Sequence, residues 1–192
     1  KGNTVVSTAD IRKITAPKEG RELGLADLKQ VAEEITKLYQ TRGFLTSRAY
    51  IGPQKIETKK VEIQILEGTL DKINVQGNKH VKSENITRYL KPLVGEVLEY
   101  DALSSKMMKV NLHPDREVKA VVMPGQQVGT SDLLLDVKDQ FPIHIGADVN
   151  NFGTKLTGKE RYGLSIRDTN LFGMDDIIAT RLQWGEEVFA LG

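Results

Sequence analysis

Cysteine is absent from all 192 residues. That excludes disulfides, zinc–thiolate centres and thiol catalysis together, while leaving the compartment open, since many cytosolic chains also lack the residue. No apolar run approaches the roughly 18 residues that a membrane-spanning helix needs, and no signal peptide is visible at Lys1. A dominant charge sign is lacking too: 27 Lys and Arg stand against 26 Asp and Glu, a formal charge of +1. No global field therefore points to nucleic acid or to an anionic membrane. The glycines form neither a P-loop nor a dinucleotide fingerprint, and no Ser, His and Asp stand in a nucleophile setting. His80, His113 and His144 are scattered without a second ligand at helical spacing, so each reads as a surface or packing histidine and no metal is expected. Asp175-Asp176 and Glu186-Glu187 are adjacent carboxylates. On a strand such neighbours face opposite ways, so they read as solvated turn charges rather than acid–base dyads. Nothing here supports an enzyme, a cofactor or a small-molecule substrate.

What is present is a folded composition, 39% hydrophobic and 28% charged, with room for one medium domain or two to three small ones. It is also repetitive. "GNTVVSTADI" (Gly2 to Ile11) and "GNKHVKSENI" (Gly77 to Ile86) share Gly-Asn, Val at the fifth place, a hydroxyl at the seventh and Ile at the tenth, 75 residues apart. In the first copy Ser7 with Asp10 predicts a capped helix over about Ala9 to Ile14, which Pro17 and Gly20 end. Leu25, Leu28, Val31, Ile35 and Leu38 then line one face of a second helix, closed by Gly43. "FLTSRAYI" (Phe44 to Ile51) and "VEIQILEG" (Val61 to Gly68) read as strands about a Gly52-Pro53 turn, the latter with Val61, Ile63 and Ile65 on one side.

The second copy opens on a strand, Leu70 to Val75, before its Gly77-Asn78. Ser83 is expected to cap a short helix carrying Ile86, Tyr89 and Leu90, which Pro92 and Gly95 end. A helix from about Asp101 follows, with Leu103, Met107 and Val110 on one face, and then strands Glu117–Met123 and Asp132–Lys138. Leu133, Leu135 and Val137 match Val61, Ile63 and Ile65 at an offset of 72, a three-residue slip that a loop absorbs. Each copy thus reads strand-helix-helix-strand-strand over about 70 residues. The first copy lacks most of its opening strand, and the chain is expected to be a fragment cut at both ends. For Gly-Asn the structural reading is the stronger: Gly supplies a positive φ and Asn caps the turn between the first strand and the first helix.

The last stretch differs. In "FPIHIGADVN" (Phe141 to Asn150) the odd positions are apolar and the even ones are not. "RYGLSIRD" (Arg161 to Asp168) sets Tyr162, Leu164 and Ile166 against Arg161 and Arg167, and "IIATRLQW" (Ile177 to Trp184) sets Ile178, Leu182 and Trp184 against Arg181 and Gln183. Strands of this kind suit a membrane β-barrel or a soluble antiparallel sheet packed on one side, and the pattern alone favours the soluble sheet. With chemistry missing, binding remains. Sheet edges accept extended partners through main-chain hydrogen bonds. Candidate edges are "TSRAYI", with Thr46, Arg48 and Tyr50, and "KAVVM", with Lys119, Val121 and Met123. Internal pairing, or packing of Arg48 and Tyr50 on a neighbouring domain, is the alternative.

Four stretches resemble the two-partner secretion outer-membrane transporters, the haemolysin-activator family of the Omp85 superfamily. They are "RGFLTSRAYIGPQ", "VEIQILEGTLDKINVQGN", "VVMPGQQVGTSDLLLDVKD" and "DVNNFGTKLTGKERYGLSIRDTNLFGMDD". The resemblance implies an α+β chain: a POTRA domain over 1–68, a second over 69–139, each βααββ, and over 140–192 the first strands of a transmembrane β-barrel. It implies a Gram-negative outer membrane with the POTRA domains in the periplasm. There they would capture an unfolded secreted exoprotein by strand addition, and the exoprotein would then thread the barrel without ATP. Tyr162 and Trp184 would meet lipid, and Arg161, Arg167 and Arg181 the lumen. Three strands cannot close a barrel, so they are expected to pair with a further surface. An Omp85-type assembly factor that inserts outer-membrane proteins is the alternative within the superfamily. A KH-like RNA-binding pair is the alternative outside it, but that fold needs a Gly-X-X-Gly loop and basic surroundings, and no nucleic acid is expected.

Overall fold

The computed structural model describes residues 1–54, 60–155, 158–185 and 189–191. The Glu186-Glu187 pair and Thr157 of the last quoted stretch lie outside the described residues. Helices α1 (Thr8–Thr15) and α2 (Leu25–Thr41) precede strands β1 (Arg48–Tyr50) and β2 (Gln64–Leu66). Then come β3 (Thr69–Gln76), α3 (Ser83–Thr87), α4 (Tyr100–Val110), β4 (Arg116–Pro124) and β5 (Thr130–Asp139). Strands β6 (Ile143–Asn150), β7 (Arg161–Asp168), β8 (Ile178–Gly185) and β9 (Phe189–Leu191) finish the chain. The sheets are β1-β2, β3-β5-β4 and β6-β7-β8-β9. The order strand-helix-helix-strand-strand followed by an antiparallel set is the α+β architecture expected. Two compact units form: Lys1–Asn74 with Tyr89–Met108 and Ala120–Leu135, and Val75–Arg88 with Lys109–Lys119 and Asp136–Gly192.

The repeated Gly-Asn is a backbone device. Gly2 has φ 92° and Gly77 φ 83°. A Cβ on Gly2 would collide with the carbonyl oxygen of Ile65, and one on Gly77 with that of Val137. Ile65 and Val137 are the strand positions already matched at offset 72. The amides repeat as well. Asn3 Nδ2 donates to Val6 O (3.0 Å) and Thr8 Oγ1 (3.1 Å), and Asn78 Nδ2 donates to Val81 O (2.8 Å) and Ser83 Oγ (3.3 Å).

A third element of the device gives no local signal in the sequence. The carboxylate ending each last strand accepts main-chain N–H groups of the Gly-Asn loop. Glu67 takes Thr4 N–H (2.7 Å) and Val5 N–H (3.2 Å), together with the Thr4 hydroxyl and Tyr39 Oη (2.7 Å). Asp139 takes the N–H groups of Lys79 (2.9 Å), His80 (2.6 Å) and Val81 (2.9 Å). Burial alone would push both carboxyls up. The bonds outweigh it, so each stays below its ordinary value: for Glu67 those from Thr4, Tyr39 and Val5, for Asp139 those from His80, Val81 and Lys79. The Tyr39 hydroxyl is pushed up by burial and by its bond to Glu67.

In the first unit Val6, Val31, Ile35, Tyr39 and Ile65 make one core cluster, with Ile11, Leu38 and Phe44 against it. The buried stripe of α2 is thus Val31, Ala32, Ile35 and Tyr39. Leu25, expected on that face, is 64% exposed because it is the first helical residue and lies before the stripe. Ser7 caps α1, its side chain accepting from Asp10 N–H at 3.2 Å. Ser83 does not cap α3. Lys82 holds the cap position, and the Ser83 hydroxyl instead receives Asn78. The proline breaks are single 3₁₀ turns at Ala16–Lys18 and Lys91–Leu93. The first-copy strands are shorter than expected. Residues 44–47 turn instead of extending, with Ser47 N–H donating to Phe44 O (3.2 Å) and Ser47 Oγ buried and accepting from Gly68 N–H (3.1 Å).

In the second unit β5 passes into β6 through three residues, Gln140 to Pro142. Both ends of this link are tied: Gln140 N–H donates to Asp115 O (2.8 Å), and Pro142 O accepts Thr169 N–H (3.1 Å).

These carboxylates set an expected pH dependence. Their folded values lie below the unfolded ones, so their stabilisation is complete above the ordinary carboxylate range and is lost as pH falls through the lower folded values. In urea unfolding followed by circular dichroism, the midpoint should fall on acidification below about pH 4. Glu67→Gln and Asp139→Asn should each destabilise the fold at pH 7 by about 1–3 kcal/mol, read as a lower midpoint, and flatten the acid limb. An acid limb unchanged in both variants would remove the clamp as its cause.

Candidate functional site

Strand β4 lies at one edge of its sheet. Near its start that edge is closed by a side chain: Asn111 Oδ1 accepts Val118 N–H (2.7 Å) and Asn111 Nδ2 donates to Val118 O (2.9 Å). Main-chain groups alternate along a strand. With those of Val118 pointing outward, Ala120 and Val122 present theirs to the same edge. Val121 and Val122 are exposed, as is Lys119, and Met123 is half-buried. The three candidates on "KAVVM" thus sit on an edge strand.

The first copy repeats the closure. Thr36 Oγ1 on α2 accepts the N–H of Ala49 in β1 at 2.9 Å. Arg48 and Tyr50 are exposed on this three-residue strand. Thr46 stands before it in the turn, half-buried, its hydroxyl 3.4 Å from Gly68 O. On the other side of β2, which pairs with β1, a groove of about 1010 Å³ runs between α1, α2 and residues 60–65, floored by Ile11, Val31, Ile35, Ile63 and Ile65. Lys1 pairs along it, its amino group donating to Ile63 O and its carbonyl accepting Ile65 N–H, both at 2.8 Å. In the other copy β3 lies beside β5, so the groove has the shape of a strand site.

The second unit holds a polar cluster that sequence reasoning missed. Asp175, read as a solvated turn charge, has a buried side chain: it is 6% exposed and meets Arg116 Nη1 at 2.8 Å, itself 1% exposed. Arg88 Nη2 (3.2 Å) and Asn85 Nδ2 (3.4 Å) also donate to Asp175. Its backbone, at φ 60°, is left-handed, which Asp tolerates better than most residues. Arg116 Nε donates to Val110 O (2.8 Å). Asp115, adjacent in sequence, takes the other end of the turn between β7 and β8 through the hydroxyl of Thr169, and also meets His144 Nε2 of β6 (2.8 Å). His113 Nε2 lies 2.9 Å from Thr169 O. Burial would raise Asp115, but the Thr169 and His144 bonds hold it below its ordinary value. Two of the three scattered histidines therefore flank one carboxylate. No group of three His, Cys, Asp or Glu suited to a metal occurs among the described residues.

The last strands carry two distinct faces. The register sets Ile145 opposite Ile166, Val149 opposite Tyr162, and Tyr162 opposite Trp184. The Tyr162 and Trp184 rings stack at 6.1 Å. Ile143, Ile145, Val149, Ile166 and Ile178 are exposed. Arg161, Arg167 and Arg181 lie on the opposite face, as their parity requires. There Arg181 Nη2 crosses β7 to both oxygens of Asp148, at 2.8 and 2.9 Å. It crosses at Gly163, where a Cβ would collide with that carboxylate. No helix among the described residues is long and apolar enough to cross a membrane.

Residues 1–68 match the POTRA domain, ShlB-type, and residues 129–185 match the haemolysin secretion/activation protein family ShlB/FhaC/HecB. The chain is 30% identical over 175 residues to the outer membrane transporter CdiB of Dickeya dadantii (strain 3937), covering 91% of this chain and 31% of that protein. It is 28% identical over 178 residues to the heme/hemopexin transporter protein HuxB of Haemophilus influenzae (strain 86-028NP), covering 92% and 32%. The solved structure of CdiB from Escherichia coli shares the fold, with a TM-score of 0.78 at 24% identity over 95% of this chain and 34% of that one. The chain spans about a third of the length of the curated relatives it matches. The resemblance to the two-partner secretion transporters therefore holds at both the front and the back of the chain.

The buried pair yields a directional expectation. Arg116→Met leaves the Asp175 carboxylate buried without its main partner, a loss of about 3–5 kcal/mol. Arg116→Met with Asp175→Asn, which removes the charge and keeps both the left-handed backbone and an acceptor for Arg88 and Asn85, should recover most of that, read as thermal midpoints in detergent. A double variant no better than the sum of the singles would show that the two side chains do not act as a pair.

Proposed function

We propose that this chain is the periplasmic and membrane-entry portion of an outer-membrane protein transporter of a two-partner secretion system. The proposed division is a POTRA domain over 1–68, a second over 69–139 and the first barrel strands over 140–192. The observation that carries the reading is the passage of a βααββ unit, within three residues, into antiparallel strands apolar on one face and arginine-bearing on the other. In this reading the strands sit in the outer membrane of a Gram-negative bacterium, with the apolar face on lipid and the arginines toward the lumen. The α/β units lie in the periplasm and receive an unfolded exoprotein. The work is carriage of a polypeptide, with no covalent chemistry and no cofactor.

Capture by strand addition fits the β4 edge best. Ala120 and Val122 offer main-chain groups beyond the point that Asn111 closes, flanked by Lys119, Val121 and Met123. Such an edge holds a chain through its backbone and selects it through modest side-chain contacts. Arg48 and Tyr50 contribute side chains from β1, whose Ala49 N–H is already engaged by Thr36. Thr46 acts from the turn before it.

Titration calorimetry with the unfolded N-terminal secretion domain of an exoprotein encoded beside the gene, against an unfolded porin, tests this. Saturable binding to the exoprotein alone is expected. Val122→Pro, which removes an outward N–H and leaves the ladder side intact, should abolish it, and Val121→Ser should weaken it about tenfold or less. Equal binding to the porin would favour an assembly factor, and full binding by Val122→Pro would remove the β4 edge from the reading.

A further inference from the structure

The turn between β7 and β8 is held from both ends by Asp115 and Arg116, yet it displays apolar side chains outward. Leu171, Phe172 and Met174 are 55%, 66% and 64% exposed. Their backbone is fixed. Asp176 accepts the N–H groups of Phe172 (3.1 Å) and Met174 (3.3 Å), Gly173 N–H donates to Asn170 O (3.0 Å), and Asn85 Nδ2 donates to Gly173 O (2.9 Å). An ordinary connecting turn is polar and loosely held. This one is stiff and apolar, a combination that presents a surface rather than merely reversing the chain.

The segment beside it is cationic. Asn170 Nδ2 donates to His80 O (3.4 Å), which places the 79–82 loop alongside. A Cβ on Gly173 would come within 3.5 Å of Lys82 Nζ. Lys79 and Lys82 are exposed. Asp139, the carboxylate bonded to this loop, is engaged by three main-chain N–H groups, the half-exposed Asp176 by those of Phe172 and Met174, and Glu84 is a neighbouring exposed acid. The level of the patch follows from connectivity. The turn lies at the end of the strands where β6 begins, three residues after β5 ends, which is the boundary between membrane-patterned strands and an α/β fold. Apolar side chains beside the 79–82 loop and its two lysines, at such a boundary, match a lipid headgroup region.

We propose that Leu171, Phe172 and Met174, with Lys79 and Lys82, form an interfacial anchor on anionic phospholipid of the leaflet facing the α/β units. The apolar side chains enter the acyl boundary, and the ammonium groups meet headgroup phosphates. This rests on the reading of β6–β8 as membrane strands. The anchor sets the depth at which those strands begin, and the two lysines make it sensitive to anionic lipid, by about fivefold each.

Trp184 is the single tryptophan of the chain, so fluorescence separates the two ideas. The native chain and a Trp184→Phe, Phe172→Trp variant are reconstituted in phosphatidylcholine vesicles with and without phosphatidylglycerol, using lipids brominated near the headgroup or deep in the chain. Trp184 reports the strands. In the variant, emission from position 172 should shift to the blue and be quenched more by shallow than by deep bromine. Adding Lys79→Glu and Lys82→Glu should abolish the gain from phosphatidylglycerol. Quenching of Trp184 with none at position 172 overturns the anchor and leaves the membrane strands standing. Quenching at neither site overturns both. Shielding of position 172 by unfolded exoprotein instead of lipid assigns the patch to the cargo and overturns the anchor, and lysine variants that respond to phosphatidylglycerol as before overturn its headgroup half.

Discussion

A carboxylate that ends a strand and accepts main-chain N–H groups from the loop before the first helix is the constraint on which each copy of the repeat depends. Those loops reverse direction beside a strand, and several of their main-chain N–H groups converge on one point, where an ionised acceptor makes stronger bonds than a neutral one. Glu67 and Asp139 supply the acceptors. Gly2 and Gly77 allow the backbone to approach the facing carbonyl, and Asn3 and Asn78 then hold the path to the helix. Val6 and Val81, the fifth residue of each loop sequence, lie on that path and are buried. Local conformation, polar satisfaction and core packing thus converge on one short loop, and this explains why its sequence recurs where the rest of each copy has diverged.

The same economy governs the second unit. Asp115 and Arg116 are neighbours whose side chains go to different partners, one to Thr169 and His144 and the other to Asp175. A single dipeptide at a strand's start therefore grips both ends of a turn that follows it by more than fifty residues. A buried ion pair is weak evidence for net stability. Its value here is positional: Arg116, with Arg88 and Asn85, meets the Asp175 carboxylate at one end of the turn, and Asp115 takes the Thr169 hydroxyl at the other.

Much of this was legible in the sequence, for reasons that are local. The Gly-Asn repeat, the proline breaks and the alternation of β6, β7 and β8 are short-range patterns, and the strand parity that put Arg161, Arg167 and Arg181 on one face needed only counting. Asp175 was misjudged because the signature of a buried carboxylate lies in Arg116, Arg88 and Asn85, far away in the chain. The closure of strand edges by Thr36 and Asn111 was invisible for the same reason. Thr36 sits on α2 and Asn111 just past the end of α4, and the apolar pattern of those helices says nothing of polar residues at their margins. Phe44 to Ile51 looked like a strand from its composition, but Ser47 found a tertiary partner at Gly68 that an extended chain could not reach. Ser83 looked like a cap until Asn78 claimed its hydroxyl.

The link from Gln140 to Pro142 has a mechanical meaning. Three residues span at most about 10 Å, and the tether is pinned at Gln140 to Asp115 and at Pro142 to Thr169. It has no slack to absorb rotation. A twist applied to β5 reaches β6 as torque, much as a crank turns its shaft, and a pull on one strand loads the other before any spring between them can stretch.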